Sequence, residues 1–399
     1  MKALLLVLAL LGCYSERVDV DLGGDCGRMM GGAARFAATV KVGNKLYGKP
    51  TVFPPKCVFH IDVPCPPDAE VKVRVSALDE NGRYGQETTL TGRCDGFSHV
   101  ASTAATAANP PPDARLYAVA GAGDEMVMVG EKKDFVSGFV STFDGIDFSD
   151  VQFLQGSPPV PSPPGPLRHV WFDPPNHRFF AVGDGNLNLA IGTIGTSQGL
   201  CPRELSIGGI SFAGLFAGRA VLKRTQQPNF AIPTIASLNL AQCQSPGTDQ
   251  QWAENNVVAF GPSGDCGVWI NGSGDWTWVK GSGCDIKKAL QTPQASAIAF
   301  TNEYGCIVKN NKLECPYNNG TAAPPIPIDS GFINLFTAQR ALIGLKAPDQ
   351  LVVCPIGGSS CTAPLTVVQG IKGLWASAHA LWLVGDLGVI RYDLNMLLK

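Results

Sequence analysis

One short pattern recurs along the chain from residue 114 to the end, and it limits the possible folds more than any other feature. An apolar run closes on a small residue in Glu125-Met-Val-Met-Val-Gly130, Arg178-Phe-Phe-Ala-Val-Gly183, Asn256-Val-Val-Ala-Phe-Gly261, Ser296-Ala-Ile-Ala-Phe-Thr301 and Ala380-Leu-Trp-Leu-Val-Gly385. Two more units, Arg219-Ala-Val-Leu-Lys223 and Arg340-Ala-Leu-Ile-Gly344, match each other through their arginines. The anchors at 130, 183, 223, 261, 301, 344 and 385 are spaced 53, 40, 38, 40, 43 and 41 residues apart. The long interval holds the proline-rich insertion Ser157-Pro-Pro-Val-Pro-Ser-Pro-Pro-Gly-Pro166, and without those ten residues it falls to 43. In the last unit Asp386-Leu387-Gly388 is a tight turn leading into a second apolar run, Val389–Tyr392, so each unit holds more than one strand. A period near 40 with several strands per unit is the signature of a β-propeller, and seven anchors imply seven blades.

The composition agrees with an all-β chain. Of 399 residues only 16% are charged, the net charge is −2, and there are 46 Gly and 30 Pro. This favours many short strands and turns over long helices. A near-neutral balance also lacks the basic face that a nucleic-acid partner requires.

Ahead of the repeats, two segments differ in texture. Residues 99–113 (HVASTAATAANPPPD) read as a linker. Residues 14–98 read as a small β-sandwich, with period-two alternation in Arg17–Leu22, Phe36–Val42, Val58–Val63 and Glu70–Val75, an Asn81-Gly82 turn, and a threonine-rich return strand at 86–92. The stretch from Val71 to Gly82 resembles the strand-turn-strand of immunoglobulin-like and fibronectin-like surface modules. The propeller is expected over 114–399.

The start of the chain speaks to location. Met1-Lys2 is followed by the apolar run Ala3–Leu11 and then Gly12-Cys13. Nine apolar residues are too few for a membrane-spanning helix, which needs roughly 20. A charged start, a short apolar core and a small residue before the cut form a secretory signal, here over residues 1–12. Leu10-Leu11-Gly12-Cys13 resembles the lipobox of bacterial lipoproteins, which implies that Cys13 is diacylated and becomes the mature N-terminus. Tyr14, in place of an aspartate, implies by the same resemblance the outer membrane. The expected membrane contact is therefore the N-terminal lipid.

The chain has 13 cysteines, and setting Cys13 aside leaves an even 12. There is no C-x-x-C, and no histidine groups with them at ligand spacing, so disulfides rather than a metal site are expected. Cys306 and Cys315 lie symmetrically about Asn310-Asn311, which predicts a hairpin pairing 309 with 312, 308 with 313 and 307 with 314, and a bridge from the third to the fourth strand of a blade. Cys354 and Cys361 are symmetric about Gly357-Gly358 in the same way. Among Cys201, Cys243, Cys266 and Cys284, a 266–284 bridge stays inside one blade. Cys26, Cys57, Cys65 and Cys94 supply two more bridges of open connectivity.

Motifs for catalysis are sparse, and no catalytic residue, cofactor or metal ligand is assigned. Gly195-Thr-Ser197-Gln-Gly199 fits G-x-S-x-G, but Cys201-Pro202 follows where a nucleophile elbow needs a helix, so it reads as a loop. Ser141-Thr-Phe-Asp144-Gly145-Ile-Asp147-Phe148 resembles a degenerate Asp-box, in which the aspartate ties down its own turn. Asp144, Asp147 and Asp150 are of a type that gathers calcium, although a solvated acidic turn is the simpler reading. Arg219 and Arg340 start strands in opposite blades, and Trp276 and Trp278, two apart, share a strand face next to Trp269.

These readings point to a lipid-anchored envelope protein that binds a protein or a glycan on a propeller surface. The alternative is a sialidase-like glycosidase or lyase with its site at the propeller axis. Acidic and basic side chains meeting at one channel mouth would favour the enzyme; an apolar or featureless channel would favour binding.

The cysteine count gives a direct expectation. Alkylation of the mature, oxidised protein without reduction should label no cysteine other than an unlipidated Cys13, as read by mass spectrometry.

Overall fold

The fold is that of a computed structural model. It describes residues 15–397 except 95–99, 102–103, 108–111, 134–136, 155–164, 174–176, 184–186, 194–197, 206–209, 217–218, 225–229, 233–249, 252–256, 261–265, 271–275, 281–296, 301–304, 310–311, 318–325, 328–331, 339–340, 347–348, 356–359, 368–369 and 378. From 193 to 340 it describes backbone pairing only.

Two sheets form the N-terminal domain. β1 (Ser15–Asp21) lies between β4 (Val58–Cys65) and the short parallel β7 (Val100–Ala101). The second sheet runs in the order β3 (Lys45–Phe53), β2 (Arg35–Val42), β5 (Glu70–Leu78), β6 (Tyr84–Arg93) and β8 (Ala104–Ala107). Alternation carries the packing: Val18 and Val20 of β1, Ile61 and Val63 of β4, and Val71, Val73 and Val75 of β5 all enter one shared core with Phe36 and Leu90. A helix, α1 (Cys26–Met30), adds Met29 to that core.

Two disulfides pin this domain. Cys26 is bonded to Cys57 across a Cα–Cα distance of 5.3 Å, and Cys65 to Cys94 across 5.5 Å. The second bridge ties β4 of one sheet to the end of β6 in the other. The segment read as a linker, 99–113, is therefore partly sheet: β7 and β8 take up its first half. The open backbone groups of β1 and β6 offer it hydrogen bonds, which a polar Ala/Thr chain can accept in an extended form.

From residue 115 onward the described strands form seven sheets in chain order. The first runs from Arg115–Ala122 through Glu125–Glu131 and Gly138–Asp144 to Phe148–Asp150. The last holds Ile371–Ala376, Ala380–Gly385 and Gly388–Asp393. The second differs in having an added strand, Gln152–Leu154, which pairs in parallel with Gln198–Leu205 at its outer edge. The chain then crosses from that outer edge to the inner strand Leu167–Asp173 through the proline-rich stretch, most of which lies outside the described residues. The first strands of successive sheets touch one another in order, and the first strand of the seventh touches that of the first, so the ring closes. This is a β-propeller plan, with cores between neighbouring sheets. Val127, Val129, Val170 and Phe179 fill the first such layer, and Ile343, Val353, Leu374 and Leu383 fill another.

The repeat pattern of the sequence mixes two strand types. The runs ending at 130, 183, 223, 344 and 385 are second strands of their sheets. Those ending at 261 and 301 are first strands, Val257–Phe260 and Ala297–Phe300. Both positions are apolar on each face, so both yield the same sequence signal. The hairpin around Asn310-Asn311 consequently joins the second and third strands of its sheet, not the third and fourth. Its pairs 309–312, 308–313 and 307–314 are present, with an irregularity at 306.

A local device repeats around the ring. Near the start of the inner strand one extra residue is inserted opposite the end of the second strand: Tyr117 in the first sheet, Arg168 in the second, Ser211 in the third, Val258 in the fourth, Ile333 in the sixth and Lys372 in the seventh. This is a β-bulge, which bends its strand and re-aims the inserted side chain. It also explains the glycines that close the second strands. A Cβ on Gly130 would overlap the Arg115 carbonyl, one on Gly183 the Pro166 carbonyl, and one on Gly385 the Gly370 carbonyl. Gly130→Ala should therefore cost about 1–3 kcal/mol in chemical denaturation, whereas Gly85→Ala, with its nearest neighbour 3.8 Å away, should stay within about 0.5 kcal/mol of the parent.

Candidate functional site

Two places concentrate polar chemistry among the described residues. The first is the seam where the first and seventh sheets meet beneath the N-terminal domain. The turn after Gly138–Asp144 is built by Asp144, whose Oδ1 accepts the N–H groups of Ile146 (3.0 Å) and Asp147 (2.8 Å), while Gly145 takes a φ of 92°. The aspartate thus ties its own turn, as the Asp-box resemblance implies. Its Oδ2 accepts from Lys41 Nζ at 2.6 Å, and Lys72 Nζ lies 3.5 Å from Asp147 Oδ2. Burial pushes the Asp144 carboxyl up, but the backbone donor of Asp147 and the Lys41 ammonium outweigh it and hold the group below the usual range. The positive charges at these aspartates come from lysines of the N-terminal domain, and no group of metal-ligating side chains stands out among the described residues.

Beside this turn lies a buried charge cluster. Arg74 of β5, 2% exposed, donates to the Ile146 carbonyl oxygen and to Glu87 of β6, and stacks over Phe143 and Phe148 at 5.4 and 5.2 Å. Glu87 also accepts from Ser76 Oγ at 2.6 Å and from Arg391 of the last strand. Arg391 stacks on Tyr84 at 3.7 Å and lies 5.0 Å from the Trp382 ring. Burial pushes Glu87 up, but the Arg391 and Arg74 guanidinium groups outweigh it and hold its carboxyl at about 2. Phe143, Phe148 and Trp382 complete the seam, with Phe143 and Trp382 ring centroids 5.1 Å apart. Backbone contacts add to it: Arg83 bridges to Tyr392, and Asp393 N–H donates to the Gly82 carbonyl at 2.7 Å.

The second place is one mouth of the central channel. The bulged residues of three consecutive inner strands meet there. The Arg168 guanidinium lies 3.6 Å from the centroid of the Tyr117 ring and Lys372 Nζ lies 4.6 Å from it, each reaching in from a flanking sheet. Tyr117 OH donates to Glu131 Oε1 at 2.6 Å. Arg115 spans Glu131 and Asp386 at 3.1 Å each, and Lys372 pairs with Asp386 at 2.7 Å. Charges of both signs thus meet at one mouth, the pattern that favours an enzyme on the criterion set by the sequence. The arrangement differs from a glycosidase site in one respect. Both carboxylates accept from cationic donors, while a general acid must carry and donate its own proton.

The other sequence candidates fall as follows. Cys354 and Cys361 are bonded, with Cα atoms 4.1 Å apart. The side chains of Cys306, Cys315 and Cys266 lie outside the described residues, as do Cys13, Cys284, Ser197 and Arg340 entirely. Trp276 and Trp278 pair in register with Ile270 and Val268, and Trp269 with Thr277. Arg219 starts the second strand of its sheet, as the sequence implies, and its side chain lies outside the described residues. Tyr117, Arg168 and Lys372 gave no signal in the sequence, since a bulge leaves no motif. A weak signal existed in the glycines facing the bulges.

No protein-family description matches the chain, and no curated protein matches it. Among solved structures, the β-propeller domain of Cps50 (Swd1) from Myceliophteria thermophila is similar over 71% of this chain and 98% of that domain, with a TM-score of 0.50 and 9% identity. The WD40 β-propeller domain of Doa1 is similar over 71% of this chain and 94% of that one, with a TM-score of 0.44 and 8% identity. At such identities the first likeness speaks to the fold alone, and it agrees with the closed ring of sheets.

The seam predicts an acid response. Glu87 is depressed when folded, so its contribution is complete above the ordinary value of 4.5 and is lost as pH falls from there towards about 2. Stability measured by denaturant between those limits should fall for the parent. The Glu87→Gln variant should start lower, by about 3–5 kcal/mol as for a broken buried pair, and should lack this part of the acid slope.

Proposed function

We propose that this chain is a lipid-anchored cell-envelope protein that binds another protein. In this reading an immunoglobulin-like sandwich stands near the membrane and a seven-bladed propeller presents a rigid disc to the partner. The observation that carries the reading is the closed ring of sheets clasped at its seam by the N-terminal domain. Such a disc offers a broad, fixed surface, and its bulged rim directs side chains outward at one mouth. The similarity to propeller domains supports the scaffold in general terms.

The anchor rests on the sequence Leu10-Leu11-Gly12-Cys13. The two chains of a diacylated cysteine are enough for stable attachment where one is marginal. The expected site is the outer membrane of a bacterium, by lipid alone. Glycan binding and a glycosidase at the axis compete with protein binding. The charged mouth favours the enzyme reading only if a carboxylate there is freed from its cation.

Two measurements test this. In a bacterial host, Cys13→Ala should shift the protein from the membrane fraction to the soluble one or stall its processing. Unchanged partition and mature mass would contradict the anchor. Cross-linking in intact envelopes, followed by mass spectrometry, should recover a discrete protein partner through propeller residues; linkage only through the N-terminal domain would contradict the propeller as the binding surface.

A further inference from the structure

We propose that the N-terminal domain stands on the phospholipid headgroups of the membrane with one of its two ends, the one formed by the turns at 43–45 and 66–69. This rests on the lipid anchor at Cys13 and adds to it the surface that meets the bilayer. The strand register groups the elements of that end. Ser15, the first residue of β1, lies opposite Cys65, the last of β4. Cys65 is bonded to Cys94, and the Cys94 N–H donates to the Ala69 carbonyl at 2.9 Å. Val42, at the end of β2, pairs with Val71, and the Gly43 N–H donates to the Glu70 carbonyl at 2.8 Å. The start of β1, both turns and the bridge between the two sheets therefore share one end of the sandwich.

Reach decides which end meets lipid. The acyl chains of a diacylated cysteine lie in hydrocarbon and hold the residue at its edge. Ser15 is two residues beyond Cys13, at most about 7 Å away even in a fully extended chain. The headgroup layer is about 5–7 Å thick on each side of a bilayer, so Ser15 cannot stand clear of it. The far end of the domain lies at Asp21, about 20 Å up the seven residues of β1. That far end carries the exposed apolar side chains, Val58 opposite Asp21 at 63% exposure and Met30 at 42%. Apolar exposure alone would select it, but the short tether keeps the near end in the headgroups however the domain leans.

Charge decides how it leans. Laid on the outer face of the β1–β4 sheet, the domain would press Asp19, Asp21 and Asp62, which outnumber Arg17 there, onto anionic lipid. At the near end Lys45 and Arg93 are exposed and balance Asp68 and Glu70. Lys45 Nζ lies 4.8 Å from the centroid of the Tyr47 ring, a pairing of cation and aromatic ring suited to the headgroup layer. The same end grips the propeller. Lys41 Nζ pairs with Asp144 at 2.6 Å, and Leu46 fills the space that a Cβ on Gly145 would need. The domain is thus a foot rather than a stalk, and it carries the disc beside the bilayer by its first sheet.

The test uses the full, lipidated chain in vesicles of phosphatidylethanolamine and phosphatidylglycerol. The photoreactive residue p-benzoylphenylalanine takes the place of Asn44 or Pro67 at the near end, of Val58 at the far end, or of Leu387 on the propeller, all four being exposed. After illumination, mass spectrometry counts phospholipid adducts at each site. Asn44 and Pro67 should each give at least about fivefold more adduct than Val58 or Leu387, since the far end stands about 20 Å higher. Equal yields at the two ends, a higher yield at Val58 or Leu387, or no adduct at Asn44 and Pro67 in lipidated, vesicle-bound protein would each overturn the proposal while leaving the anchor in place. A mature mass without lipid on Cys13 would defeat the anchor reading itself, and this proposal with it.

Discussion

Glu87 sits between two guanidinium groups that come from the two ends of the fold. Arg74 belongs to the N-terminal domain and Arg391 to the last strand of the last sheet. Taking three charges out of water is costly, and only close pairing with further hydrogen bonds offsets it. Here the offset is provided by Ser76, by the Ile146 carbonyl of the first sheet and by the aromatic faces of Phe143, Phe148, Tyr84 and Trp382. Each element that supplies one of these groups is thereby fixed against the others. Glu87 joins the N-terminal domain to the seventh sheet through Arg391, and Arg74 carries the link on to the first sheet through the Ile146 carbonyl.

A ring made from one chain has a seam where its last sheet meets its first. Among the described strands each of those two sheets is built from a contiguous stretch, and neither lends a strand to the other. The seam must then hold by side chains. An apolar layer of Leu116, Met126, Met128, Phe143, Phe148 and Trp382 supplies the area, worth roughly 25 cal/mol for each Å² of apolar surface removed from water. Such packing is non-directional and would tolerate slippage. The charged cluster, with Lys41 on Asp144 and Lys72 on Asp147, is directional and sets the register of the closure. The bulges act at the opposite scale: one inserted residue in the inner strand of six of the seven described sheets bends that strand locally without altering the ring.

Much of this was readable before the structure. The period near 40 residues survives because every sheet needs its own buried strands and turns. The ending glycines 130, 183 and 385 mark three of the bulges, since a Cβ at each would overlap the facing carbonyl. Val257–Phe260 and Ala297–Phe300 misled the strand assignment because first and second strands can both carry a short unbroken apolar run in the sequence. β3 was missed because Gly48 and Pro50 interrupt its apolar pattern, and β7 and β8 because their residues carry no hydrophobic alternation. Asp144 was legible, since its turn is closed by its immediate neighbours. Its lysine partner, 103 residues away, was not. Glu87 and Arg391 are separated by 304 residues, and nothing local in either segment announces the other.

Native-state hydrogen exchange on the Glu87→Gln variant addresses the closure most directly. If the carboxylate clasps the ring, amides of Arg115–Ala122 and of Ile371–Gly385 should lose protection together and to a similar extent, ahead of the strands in Leu167–Asp173 and Arg178–Gly183. Loss confined to β5 and β6, with both sheets at the seam as protected as in the parent, would contradict it.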